Sequence, residues 1–156
     1  MGLDITAYNE VKVVKDAEPQ YYFYKNGEQS NMPELEGEVE MEFLEEFDFR
    51  AGSYEGYNQF RNYLCKTINS ISDSELWELV DNKDESVKKL PFYYLINFSD
   101  CEGYIGTSYC EILYKDFLEN KDVFIKNTDH ERIINTYNNF LQAFEIGKQN
   151  GVVNFY

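Results

Sequence analysis

An α+β fold is expected for this chain: an antiparallel sheet of N-terminal strands with helices packed on one of its faces. Two-residue hydrophobic alternation, typical of strands, runs through much of the first fifty positions. Helical spacing of hydrophobic residues dominates the remainder until a short apolar segment at 152–156, which is expected to add a C-terminal strand. Strands and helices that are segregated along the chain in this way are typical of α+β proteins.

The chain is expected to fold as a single domain, residues 1–156. Hydrophobic residues make up 43% of its 156 positions, which is enough to build a core of its own. The three cysteines form no CxxC pair and leave an odd count, which favours reduced thiols and a cytoplasmic protein. No apolar run has the length of a membrane span, so no membrane association is expected.

The formal net charge of −15 disfavours direct binding to nucleic acid and to anionic membranes, because like charges repel. Eight acidic residues and no basic residue lie between Glu34 and Asp48. This acidic segment is either a solvated face or a surface that binds a basic protein partner.

The first strands are predicted from local pattern and turn chemistry. Residues 3–15 alternate as a strand with a bend at Asn9-Glu10, and residues 20–25 form a second strand. Asn26-Gly27 is the pair that a type I′ turn prefers, and residues 28–37 are expected to be a loop. In residues 38–43, the side chains of Val39, Met41 and Phe43 face the core and those of Glu38, Glu40 and Glu42 face water.

The segment 47–61 is expected to mark the end of a strand and the start of a helix. It contains two of the chain's three arginines, Arg50 and Arg61, together with glycines and aromatic residues. Ser53 is the predicted N-cap of a helix over 54–68. This helix buries Tyr57, Phe60, Leu64 and Ile68 and places Asn58 and Arg61 on a neighbouring face.

The later elements are assigned from helix-cap signals and spacing. Ser72 opens a capping box and a short helix, and the apolar run 92–98 favours a helix slightly over a strand. Residues 97–106 are interpreted as a polar, glycine-bounded loop. Thr107 or Ser108 is expected to cap a helix to Glu119, and a capping box at Thr128 to open a helix over 129–147.

Seven segments of the chain form recognisable motifs: Met1 to Tyr8, Phe49 to Tyr54, Gly56 to Asn58, Asn97 to Gly103, Ile105-Gly106, Ala143 to Glu145 and Gly151 to Val153. In these segments the chain resembles a family of uncharacterised bacterial, phage and prophage proteins. The resemblance spans most of the chain and implies a cytoplasmic location in a bacterial host cell, but it implies no activity.

The residues favour ligand binding over catalysis. The only histidine, His130, lies in a helix first turn away from these motifs, and no nucleotide-binding or zinc motif is present, so no metal and no cofactor are predicted. Arginine suits phosphate or carboxylate, tyrosines stack on bases, and carboxylates accept from ribose hydroxyls or amines. The predicted ligand-binding residues are Arg50, Ser53, Tyr54, Tyr57, Asn58, Arg61, Ser99, Asp100 and Glu102.

Three functions remain open at this point. The first is a non-catalytic protein that binds a nucleotide-derived or sugar-phosphate-like small molecule, which in a phage would sequester a signal of host immunity. The second is an acidic inhibitor that mimics nucleic acid toward a basic protein. The third is a hydrolase that uses Asp100 or Glu102 as general base. An Arg50–Asp100 ion pair with a purely structural role is the alternative to a site, and a homo-oligomer is also left open.

Overall fold

The computed structural model describes residues 2–156. The strands are β1 (Gly2–Tyr8), β2 (Lys12–Val14), β3 (Tyr21–Phe23), β4 (Gly37–Glu42), β5 (Glu46–Ser53), β6 (Gly103–Gly106) and β7 (Val152–Phe155). The helices are α1 (Tyr54–Leu64), α2 (Asp73–Asp81), α3 (Tyr93–Ile96), α4 (Thr107–Glu119), α5 (Lys121–Lys126) and α6 (Glu131–Gly147). A π-helical turn, Cys65–Asn69, extends α1, and two 3₁₀ turns cover Pro33–Leu35 and Glu85–Lys89.

The main sheet has four antiparallel strands in the order β5-β1-β7-β6. The predicted C-terminal strand is confirmed, and it lies inside the sheet between β1 and β6. Backbone hydrogen bonds between Asp4 and Tyr156, 2.8 and 2.9 Å long, extend its pairing with β1. The two ends of the described chain are therefore joined in one sheet.

The predicted α+β architecture is confirmed, with helices on one face of the main sheet. Leu3, Ile5 and Ala7 of β1 are fully buried in a core shared with α1, α4 and α6. Part of the opposite face, around Tyr8, Tyr104 and Val152, packs against a second, smaller antiparallel sheet in the order β2-β4-β3. Tyr8 and Phe23 belong to the separate hydrophobic cluster between the two sheets.

Aromatic rings fill the space beneath the helices. Phe140 of α6 stacks nearly parallel to Phe60 of α1, with ring centroids 5.5 Å apart, and to Phe144, at 5.9 Å. Phe117 of α4 lies 4.8 Å from the ring of Tyr137, again measured between centroids. The high aromatic content thus serves mainly the core, where offset and edge contacts stabilise helix packing.

Several local predictions are confirmed. The chain between β1 and β2 turns at Glu10, which has a φ of 46°. Ser53 ends β5 and caps α1 by accepting from the Gly56 amide at 3.0 Å. Ser72 forms the predicted capping box with Glu75 at the start of α2.

Other local predictions are wrong because tertiary contacts replace them. Residues 103–106 form the buried strand β6 rather than part of a loop. Asn26-Gly27 does not form a type I′ turn, since only Gly27 has a positive φ. The box at Thr128 is not formed, and α6 begins at Glu131 without a side-chain cap.

The predicted caps of α4 and the extent of α3 also need correction. Gly106 is the N-cap of α4, and the Thr107 hydroxyl donates instead to the Gly147 carbonyl at 2.9 Å, which ties α4 to the end of α6. Only residues 93–96 of the apolar run form a helix. Phe92, just before it, has a φ of 65° and donates its amide N–H to the Asp116 carboxylate at 3.0 Å.

Asp116 gives the fold a testable pH dependence. Burial raises the pKa of its carboxyl to about 6, although the hydrogen bond from Phe92 opposes this rise. The folded protein therefore holds this proton more tightly than the unfolded chain, and the contribution to stability falls as pH rises from about 4 to about 6. We expect Asp116→Asn to raise the free energy of unfolding at pH 7.5 by on the order of 1 kcal/mol, measured by urea unfolding, with a smaller gain at pH 5.

The matched control is Asp122→Asn, which removes an exposed carboxylate of α5 and should change stability little at either pH. An Asp116→Asn protein that is less stable than the control at pH 7.5 would mean that the charged hydrogen bond to Phe92 outweighs the burial of the charge.

Candidate functional site

Helix α1 carries an arginine into the protein interior. Tyr57, Phe60, Arg61 and Leu64 are buried at positions i, i+3, i+4 and i+7 of the helix, which is the spacing of one helical face. Arg61 is only 3% exposed. It was expected on a face beside the apolar stripe, but it lies within the stripe, because its partners come from a distant part of the chain.

The Arg61 guanidinium joins α1 to the segment that follows α3. Its Nη1 donates to the carbonyl oxygens of Ile96, at 3.3 Å, and Phe98, at 2.5 Å. Its Nη2 donates to Oδ1 of Asn58, one turn earlier in α1. The ring of Tyr57 lies beneath it, with 4.5 Å between Cζ and the ring centroid. Dipoles and a π face therefore surround the charge.

Within residues 2–156, no carboxylate oxygen lies within 4 Å of the Arg61 guanidinium. In the same part of the chain its Nε is buried and has no hydrogen-bond partner. A buried cation without a paired anion lowers the stability of the folded protein, so buried cations are usually paired with a carboxylate or bound to a ligand. Arg61 is thus the strongest electrostatic signal of a site in this protein.

An open cavity of about 400 Å³ lies against Arg61. Its walls come from the loop before β4, from α1 and α2, and from the segment after α3. The ring of Trp77, on α2, forms an aromatic wall with its centroid 6.0 Å from Arg61 Cζ. The polar residues that line the cavity are Asn26, Gln29, Asn58, Arg61, Asn97, Ser99 and Asp100. The volume lies in the range of small-molecule sites.

The α1 wall offers hydrogen-bond donors. A guanidinium can only donate, so the Asn58 oxygen must face Arg61, and the Asn58 Nδ2 group is left for other partners. Arg61 itself keeps one unused N–H on Nη2 besides Nε–H.

The part of the cavity wall that the loop before β4 forms offers acceptors. Nδ2 of Asn26 donates to the Glu102 carbonyl at 3.0 Å, which leaves Asn26 Oδ1 free. Nε2 of Gln29 donates to the carbonyls of Tyr94 and Asn97, each at 3.0 Å. These bonds use both amide protons, so the side chain can make further hydrogen bonds only as an acceptor, through Oε1. These bonds also tie the loop before β4 to the segment after α3.

The Asp100 side chain adds a carboxylate to this cavity. Among the described residues it has neither a hydrogen-bonding nor an ion-pairing partner. Arg61 and Asp100 thus line the same cavity but do not form an ion pair with each other. The site combines a buried cation, an available carboxylate and several carboxamides.

The structure brings four of the predicted residues to this cavity: Asn58, Arg61, Ser99 and Asp100. The Ser99 hydroxyl also accepts from the amides of Cys101 and Glu102, at 3.2 and 3.3 Å, and so shapes the turn that carries Asp100. The Glu102 side chain is exposed and is not part of the cavity wall. Asp100 and Glu102 therefore do not act as a pair in this site.

The remaining predicted residues lie elsewhere. Ser53 is the cap of α1, and Tyr54 is half-buried against the main core. Tyr57 is fully buried beneath Arg61, and burial raises the pKa of its hydroxyl to about 12 even though the nearby Arg61 charge opposes the shift. Its hydroxyl is therefore neutral at physiological pH, and it has no hydrogen-bond partner of ordinary geometry among residues 2–156.

Arg50 does not pair with Asp100. It forms a bidentate ion pair with Asp4 across β1 and β5, with Nε–Oδ1 and Nη2–Oδ2 distances of 2.8 and 2.7 Å. The Asp4 partner raises the pKa of Arg50, and Arg50 holds the pKa of the Asp4 carboxyl below its usual value. Arg50 lines a different cavity of about 380 Å³, beside Arg132 of α6.

Sequence reasoning missed the roles of Asn26, Gln29, Asn97 and Trp77. Asn97 belongs to a segment singled out as polar, and Trp77 is the only tryptophan, so each carried a weak signal. Asn26 and Gln29 carried none, because they reach the cavity through hydrogen bonds to residues more than 60 positions away.

The described residues show neither a metal centre nor a membrane-spanning helix. Residues 2–156 contain no cluster of three or more His, Cys, Asp or Glu side chains suited to a metal ion. In the same range, no helix combines the length and the apolar character needed to cross a membrane. Comparison with protein-family models, curated proteins and solved structures finds no match to this chain.

The unpartnered Tyr57 hydroxyl leads to a stability prediction. A buried hydroxyl without a hydrogen bond costs about 1–3 kcal/mol of desolvation, so its removal should help the folded state. We expect Tyr57→Phe to raise the free energy of unfolding by about 1 kcal/mol, measured by urea denaturation.

Tyr137→Phe is the matched control, since this hydroxyl donates to the Phe117 carbonyl at 2.5 Å and its loss should destabilise by about 1 kcal/mol. Equal destabilisation by the two substitutions would show that the Tyr57 hydroxyl is hydrogen-bonded in solution.

Proposed function

We propose that this protein binds a small polar ligand, nucleotide-derived or sugar-phosphate-like, in the cavity beside Arg61. The observation that carries the proposal is the buried Arg61 guanidinium, which lines a cavity of about 400 Å³ and has no carboxylate oxygen of residues 2–156 within 4 Å. A ligand oxygen that accepts from Arg61 would supply the anionic partner that these residues do not supply.

The rest of the cavity supports a polar ligand rather than an apolar one. Carboxamides and a carboxylate dominate its wall, and hydrogen bonds hold several of them in fixed orientations. Preorganised polar groups favour a ligand that matches them, because little conformational entropy is lost on binding. Trp77 supplies an aromatic surface that suits stacking of a planar base.

The proposed role is sequestration rather than turnover. Asp100 is the only residue with a carboxylate among the described residues that line the cavity, so they do not supply an acid–base pair of carboxylates. The resemblance to phage and prophage proteins adds a biological context to this role. In that context, the protein would act in the cytoplasm of the bacterial host, where it would bind a nucleotide-derived signal and keep it from the host defence system.

Ligand capture tests the proposal directly. The protein is incubated with lysate of phage-infected, defence-active bacteria and repurified, and small molecules released by heat are identified by mass spectrometry. We expect the wild type to release a compound, and Asn58→Ala and Asp100→Asn to release at least about tenfold less, because each loses a hydrogen-bonding group of the cavity. Recovery of the compound in its original form distinguishes sequestration from hydrolysis.

Arg50→Ala is the matched control, because it removes an exposed arginine that is paired with Asp4 in another cavity. It should retain the compound. Loss of the compound from Arg50→Ala but not from the two cavity variants would contradict the proposal and would place the ligand beside Arg132.

A second candidate function is supported by the acidic surface. Glu38, Glu42, Glu45, Glu46 and Asp48 are exposed, and none forms an ion pair with a basic residue of the described chain. Such a surface suits a basic protein partner and could mimic nucleic acid toward it. Glu40 contributes less than expected, since it is half-buried and one of its oxygens is inaccessible.

Salt-dependent binding of a basic probe tests this second function. The Glu38→Gln/Glu42→Gln protein should bind poly-lysine more weakly than the wild type at low salt, and the difference should shrink near physiological salt. The control is Glu119→Gln/Glu145→Gln, which makes the same change in net charge on exposed helix positions. Equal weakening by both pairs would indicate net charge alone and not a specific surface.

A further inference from the structure

The ligand's own pattern of donors and acceptors follows from the cavity beside Arg61, if that cavity is the binding site proposed above. Arg61 and Asn58, both on α1, present N–H groups. From other chain segments that line the cavity, Asp100, Asn26 and Gln29 contribute oxygen atoms, and the amide orientations of the last two are set by the backbone carbonyls to which they donate. A ligand that satisfies both groups of residues must therefore both accept and donate hydrogen bonds.

We propose that the ligand is a ribose phosphate or a ribonucleotide whose vicinal hydroxyls donate to the Asp100 wall and whose phosphoryl oxygens accept from Arg61 and Asn58. A carboxylate accepts from two adjacent hydroxyls through its two oxygens, which matches a vicinal diol. A phosphoryl group matches the guanidinium of Arg61, because charge-assisted hydrogen bonds to phosphate are among the strongest that arginine makes.

Hydroxyl groups fit the acceptor wall better than an ammonium group does. An ammonium ion near Asp100 would share the cavity with the Arg61 guanidinium, whose charge no described carboxylate balances at contact distance. Like charges in a partly desolvated cavity repel. Neutral hydroxyls use the same acceptors without that repulsion.

The glycine at the start of β6 supports the construction of this wall. Gly103 has a φ of 142°, and a Cβ there would lie 2.8 Å from Cβ of Asn26 and 3.0 Å from the Phe98 ring. Only glycine allows the loop before β4 to approach the segment after α3 so closely. The close approach brings Asn26 to the same cavity as Asp100.

Calorimetric titration with two simple sugars tests the inference. The purified full-length protein is titrated with ribose 5-phosphate and with 2-deoxyribose 5-phosphate, which lacks one hydroxyl of the diol. We expect the wild type to bind ribose 5-phosphate about tenfold or more tightly, because the deoxy sugar leaves an acceptor unpaired. Inorganic phosphate should bind more weakly than either sugar.

Variants distinguish the side chains proposed to bind the diol from those proposed to bind the phosphate. Asp100→Asn should reduce the preference for the ribose sugar to about threefold or less, since an amide accepts through one oxygen only. Asn58→Ala should weaken both sugars by similar factors and keep the preference, because it acts on the phosphate side. Arg50→Ala should change neither affinity.

Equal affinities of the wild type for the two sugars, or no binding of either, would overturn the ribose assignment. These outcomes differ from a failure of the proposed function, which the heat-release experiment decides. If a compound is released but is not retained by phenylboronate resin, which captures cis-diols, the cavity still binds a ligand and the ribose assignment is wrong. If the resin retains it, the assignment is supported.

Discussion

The buried guanidinium of Arg61 is the contact on which the geometry of the candidate site depends. It joins helix α1 to the carbonyl oxygens of Ile96 and Phe98, 35 and 37 positions further along the chain. The segment after α3 has little regular structure, and these hydrogen bonds hold it against α1 together with the burial of Ile96 and Phe98 in the main core. They thereby help to fix Asp100 and the turn shaped by Ser99 in the same cavity as Asn58.

A second set of hydrogen bonds fixes the loop before β4, which forms another part of the cavity wall. Gln29 donates to two backbone carbonyls on either side of the end of α3, and Ser30 donates to the Tyr104 carbonyl of β6 at 2.6 Å. The loop before β4 is thereby attached to the main sheet although it belongs to the part of the chain that forms the smaller sheet. The cavity thus lies where three chain segments meet, and polar contacts join these segments in addition to the hydrophobic core, which includes Ile96 and Phe98. Such an arrangement makes the site sensitive to single polar substitutions, while the aromatic core beneath the helices maintains the fold.

The two proposed functions would use different parts of the molecule, which differ in charge. The acidic surface runs along β4 and the start of β5, where Glu38, Glu42 and Asp48 are exposed. The buried positive charge of Arg61 lies in a different part of the molecule, between α1, α2 and the segment after α3. An overall charge of −15 opposes the approach of anionic ligands. Binding of the proposed phosphate ligand would therefore depend on short-range hydrogen bonds in the cavity, which salt screens far less than interactions between surface charges.

Local signals were enough to predict the junction between β5 and α1, the capping box at Ser72, the alternation in β4 and the C-terminal strand. In each case the residues that determine the structure are neighbours in the chain: Ser53 caps an amide three residues away. Local signals also marked the segments that carry Asn58, Arg61, Ser99 and Asp100, but not that these form one site. The sequence could not show that Arg50 pairs with Asp4, that residues 103–106 are a buried strand, or that Asn26 and Gln29 line the cavity. Those features arise from strand pairing and hydrogen bonds across 46 to 76 positions, for which composition and spacing carry no information. The amino-acid sequence by itself thus determined most of the helices and the caps at Ser53 and Ser72, whereas the tertiary packing of distant segments decided which residues share the candidate site.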